Sequence, residues 1–91
     1  MSKFASVWDA IEDTPAEAEK MKLRSSLMIA LKGYIEAEGL TQIKAAKLFG
    51  VTQPRISNLM RGKINLFAIE SLVDMAVSAG LRVEINIGKA A

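Results

Sequence analysis

Cysteine and histidine are both absent from the 91 residues. Their absence excludes a disulfide framework, a zinc finger, a Cys or His nucleophile and an imidazole general base. Long apolar runs are missing too, and none approaches the roughly 20 residues that span a bilayer. Phe4, Val7, Trp8 and Ile11 are spread among acids instead of forming the continuous apolar core of a signal peptide. These absences predict a soluble cytoplasmic protein with no membrane partner. No glycine loop for cradling phosphate, no metal-ligand cluster and no nucleophile beside a base can be found, so the expectation is a non-enzyme with no cofactor and no metal site. The length suits one compact domain with a short tail.

Acids are missing from one stretch in particular. The net charge of +2 is unremarkable, but residues 41–65 hold Lys44, Lys47, Arg55, Arg61 and Lys63 and none of the chain's ten acids. Residues 1–20 are the reverse, with Asp9, Glu12, Asp13, Glu17 and Glu19 against Lys3 and Lys20, a net of −3. A basic stretch of this kind suits phosphate, and the acidic one suits a basic partner. Solvated faces would have the same composition. The basic face lacks the aromatics that stack unpaired bases, which favours duplex DNA over RNA.

Hydrophobic spacing divides the chain at 1–13, 14–80 and 81–91. Phe4, Val7, Trp8 and Ile11 fall at i, i+3, i+4 and i+7, on one side of a short helix. Thr14-Pro15-Ala16-Glu17 is a helix start, with Thr14 as N-cap and Glu17 placed for a capping box. Leu23, Leu27, Leu31, Tyr34 and Ile35 then continue a long helix to Glu38, with Gly39 ending it and Gly33 as a possible bend. Thr41 caps a short helix reaching about Phe49, and Thr52 caps another that Gly62 stops. Asn65 is the expected cap of a last helix whose buried stripe is Ile69, Leu72, Val73 and Ala76, closed by Gly80. From Leu81 the period changes: Leu81, Val83, Ile85 and Ile87 alternate with polar residues, the pattern of a strand with one buried side. A lone strand leaves backbone groups unpaired, so these four residues predict an antiparallel pairing with a second copy, a homodimer. An irregular tail, or pairing with the N-terminal segment, are the alternatives.

The stretch from Gln42 to Arg61 reads as helix, turn, helix. Ala46 is small where two helices would cross, Gly50 takes the turn, and Val51, Ile56 and Leu59 lock the second helix onto the first. What faces outward is polar and without acid: Thr52, Gln53, Arg55, Ser57, Asn58 and Arg61.

Gly39-Leu40-Thr41-Gln42, the alanines at 45 and 46, Gly50 to Ser57, and Arg61-Gly62-Lys63 together resemble the Cro/C1-type (XRE) helix-turn-helix family. The likeness runs over roughly residues 14–87 and is narrower still to HigA-type antitoxins. The resemblance implies an all-α, Cro/lambda-repressor-like five-helix domain whose two-fold dimer sets recognition helices in successive major grooves of a palindromic operator. It further implies that Gln42 lies near a phosphate and that Gln53, Pro54, Arg55, Ser57 and Asn58 face bases, with Arg61 and Lys63 at the backbone and Lys44 on the same basic face. Arg55 is the expected direct reader, pairing bidentately with guanine.

The function implied is autoregulatory repression, as the antitoxin of a type II toxin–antitoxin module. The cognate would be a RelE/HigB-type toxin, a basic ribonuclease. Phe4, Val7, Trp8 and Ile11 would bind that toxin, or else pack as a first helix on their own domain. A stand-alone regulator, and a protein whose main task is inhibiting a partner, are the rival readings.

Overall fold

The computed structural model describes residues 14–89. Four α-helices lie within that span: α1 (Pro15–Ala37), α2 (Gln42–Phe49), α3 (Gln53–Met60) and α4 (Ile69–Ser78). The helix expected over residues 1–13 lies outside the described residues.

Each of the first three helices starts where a threonine hydroxyl accepts a backbone N–H that the helix itself leaves unpaired. Thr14 accepts from Glu17 at 3.0 Å, Thr41 from Lys44 at 3.1 Å and Thr52 from Arg55 at 3.3 Å. The Glu17 carboxylate pairs with Lys20 at 3.3 Å, an exposed contact worth about 0–1 kcal/mol. The endings are alike as well. Leu40 donates to Ile35, Lys63 to Asn58 and Leu81 to Ala76, each closing a helix across a left-handed glycine. α1 is unbroken at Gly33, which is exposed.

α1 is the scaffold. Met28, Leu31 and Ile35 form its buried stripe, and it packs against α3, α4 and the connection between them. α2 contributes Ala45, Ala46 and Phe49, α3 contributes Ile56 and Leu59, and α4 contributes Leu72, Met75 and Ala76. Phe67, from the α3–α4 connection, completes the core at 1% exposure. The Tyr34 and Phe49 rings meet edge to face, with centroids 6.3 Å apart.

The start of the last helix differs from expectation. Residues Ile64–Leu66 form a 3-10 turn, and α4 begins only at Ile69, with Ala68 at its N-cap and no side-chain cap. Asn65 is thus inside the turn instead of capping α4. The buried stripe is also rotated: Met75 joins Leu72 and Ala76, while Ile69 and Val73 are half-buried.

No strand is formed among the described residues, and 81–89 carry neither helix nor strand. Leu81 and Val83 pack against the core. The segment then follows α1 back towards its N-terminus, so that Leu23, Leu27, Ala30, Val83 and Ile85 line one shallow groove of about 330 Å³.

Gly50 has φ +70°, and a Cβ built there would lie 3.0 Å from the Ser78 Oγ. That hydroxyl already donates to the Leu48 carbonyl at 3.0 Å, tying α4 to the end of α2. Gly50→Ala should cost about 1–2 kcal/mol for the left-handed backbone alone. The expected result is a Tm lower by about 5–15 °C, read by circular dichroism. An unchanged Tm would mean that the turn relaxes into a right-handed conformation.

Candidate nucleic-acid interface

α2 and α3 pack on each other across a turn of three residues, Gly50 to Thr52, and Ala45 and Ala46 of α2 are buried in the core. At about 100° per residue, Pro54, Ser57, Asn58 and Arg61 fall opposite the buried Ile56 and Leu59, while Gln53 and Arg55 lie on the two flanks. Burial follows this pattern. Thr52, Gln53, Pro54 and Arg61 are exposed, Ser57 and Asn58 are half-buried, and Gln42, Lys44, Lys47 and Lys63 are exposed around them.

This surface is electrostatically uncommitted. The ion pairs among the described residues are Glu17–Lys20, Glu19–Lys22 and Arg82–Glu84. Lys44, Lys47, Arg61 and Lys63 take part in none of them, and no acid lies between residues 41 and 65 to draw them away from a phosphate. The Thr52 hydroxyl caps α3, so its first role is to hold the helix start.

Arg55 makes contacts within its own domain that the sequence did not predict. Its Nη1 donates to the Leu66 carbonyl at 2.6 Å, and its guanidinium carbon stands 3.9 Å from the centroid of the Phe67 ring. The group expected on a guanine is engaged inside its own domain. Sequence reasoning missed this contact because Phe67 belongs to no periodic stripe. The one available signal was the flank position of Arg55 on α3, away from the centre of the outward face.

Two short helices joined by a tight turn, the second presenting an acid-free polar side, define a helix-turn-helix DNA-binding domain. A family model described as a helix-turn-helix domain matches residues 10–88. A solved structure of a protein named as an XRE family transcriptional regulator shares 32% identity with a TM-score of 0.72, over 81% of this chain and 83% of that one. The chain belongs to the XRE family of helix-turn-helix transcriptional regulators. No curated protein matches it. The narrower likeness to HigA-type antitoxins has no counterpart among these matches. No helix of the described residues is long and apolar enough to cross a membrane.

Proposed function

We propose that the protein is a sequence-specific repressor of its own operon that binds a palindromic duplex as a homodimer. The observation that carries this reading is the outward side of α3, polar, free of acids and bordered by lysines and an arginine without ion-pair partners. Gln53, Pro54, Ser57 and Asn58 meet base edges, with Pro54 limited to apolar contact such as a thymine methyl. Gln42, Lys44, Arg61 and Lys63 meet phosphates.

The C-terminal segment supports the dimer. Leu81 and Val83 are half-buried on their own core, but Ile85 and Ile87, next on the same alternation, are 61% and 95% exposed. After the Leu81 N–H, the described residues of this segment make no hydrogen bond through their backbone. Apolar side chains and free backbone groups together suit an antiparallel strand from a second copy. Half-sites would then lie about 34–36 Å apart, or a multiple of that.

A finer reading makes the repressor an antitoxin for a RelE-type toxin. It draws on the sequence likeness to HigA and on the acidic, Trp8-bearing residues 1–13, which lie outside the described residues. An isolated gene with no small basic neighbour would favour a plain regulator.

Fluorescence anisotropy with duplex from the gene's own upstream region, against scrambled duplex, tests the core of this proposal. Wild type should prefer the upstream duplex, with affinity falling steeply as salt rises. Asn58→Ala should reduce the preference by about 5- to 100-fold. Arg61→Ala should weaken both duplexes alike and lower the salt slope by about 1. Equal, weak binding of wild type to both duplexes would refute operator recognition.

A further inference from the structure

We infer that Arg55 is a positioning residue: stacked on Phe67 and bonded to the Leu66 carbonyl, it fixes the rotation at which α3 is presented to DNA. The inference rests on the DNA-reading role proposed for α3.

α3 is only eight residues long, and its two fully buried side chains, Ile56 and Leu59, lie on the same side. Two anchors on one side set how deep a helix sits but resist rotation about its own axis poorly. Met60 packs against the core at one edge of that side, and on the opposite flank Arg55 supplies the resistance through its partners outside the helix. Its bond to Leu66 is short, as befits a charged donor. Its distance from Phe67 is well inside the roughly 6 Å range of a cation over a ring.

Both partners belong to the α3–α4 connection, and Phe67 is itself locked in the core. Through Arg55 the recognition helix is therefore referred to the scaffold. The same connection carries Arg61 and Lys63, so the clamp also fixes the spacing between the base-facing side of α3 and two phosphate-facing cations. Sites of this kind tolerate only about 10–20° of misorientation. A guanidinium suits this place better than an ammonium, because a flat, weakly hydrated group can lie over the ring while one of its N–H groups reaches the carbonyl.

Positioning, base reading and plain charge give different results. The test measures the ratio of upstream to scrambled affinity for wild type, Arg55→Ala, Arg55→Lys, Phe67→Leu and the Arg55→Ala/Phe67→Leu double variant. A series of single base-pair changes across the half-site accompanies it. Arg55→Ala should lower the ratio about tenfold, the scale of one cation–π contact, and spread the loss over every half-site position. Arg55→Lys should fail to restore it. Phe67→Leu keeps the apolar bulk but removes the ring face, and should act in the same direction without adding to Arg55→Ala. A loss confined to one base pair would make Arg55 a base reader. Full restoration by lysine would reduce its role to charge, and additive losses would deny the shared clamp.

Amide exchange in DNA-free protein separates the clamp from the DNA reading. The Leu66 and Phe67 N–H groups bond within the 3-10 turn and should exchange about tenfold faster in Arg55→Ala if the contact is worth what such contacts usually are. Unchanged exchange would overturn the clamp even if operator binding holds. A wild type that ignores the upstream duplex would overturn the proposed function, and with it the role given to Arg55, while faster exchange would still leave the contact itself in place.

Discussion

Phe49→Ala should remove about 3–5 kcal/mol of stability, a large part of the roughly 5–15 kcal/mol that holds a domain of this kind folded. Phe49 is the last residue of α2 and is 1% exposed. Its ring meets Tyr34 of α1 edge to face and shares the core with Leu72 and Met75 of α4. It therefore joins the helix-turn-helix to both scaffold helices at once. Truncation leaves a ring-sized void between three elements that cannot all move inward together. Urea unfolding followed by circular dichroism should show a lower midpoint with little change in slope. Phe49→Leu, which keeps most of the apolar volume, should cost less than Phe49→Ala. A loss under about 1 kcal/mol for the alanine variant would mean that the site collapses around the deletion.

Local chemistry was legible in the sequence wherever one residue type has one mechanical use. Thr14, Thr41 and Thr52 are caps as expected, and Gly39, Gly50, Gly62 and Gly80 all hold the left-handed backbone that ends a helix. Ile56 and Leu59 follow from spacing, being the apolar pair on a short polar helix. Errors arose where two uses compete. Asn65 is a good cap in isolation, but the chain makes a 3-10 turn there, which brings Phe67 into the core. α4 then starts at Ile69, after an N-cap, Ala68, that has no capping side chain, and turns Met75 inward. Met28, Met75 and Phe67 are core residues that periodicity alone did not mark. Arg55 was legible as a donor but not as an engaged one, because its partners lie 11 and 12 residues away in an irregular connection. Alternation from Leu81 to Ile87 was equally plain, but a strand needs a neighbour, and the described residues supply none.

That neighbour is the basis of the second large effect. Ile85→Asp/Ile87→Asp should convert a dimer into monomers in sedimentation and lower affinity for a two-half-site operator by about 100-fold or more. Linking two half-site contacts in one molecule multiplies affinity by 10² to 10⁴ without any new contact, and the monomer forfeits that factor. Both isoleucines are exposed in the single chain, so the domain itself should keep its helical signal. Leu81 and Val83 would be poor choices, since they also pack on their own core and their loss would confound folding with assembly. Across a two-fold antiparallel pairing, four new carboxylates would face one another in close register, and like charges placed opposite destabilise a strand pair. Binding to a duplex carrying one half-site should be nearly unchanged, because α3 and its surrounding lysines are untouched. A variant that still sediments as a dimer would place the two-fold contact elsewhere. If the variant becomes monomeric yet keeps full affinity for the double site, the two recognition helices act independently, and strand pairing contributes nothing to operator binding.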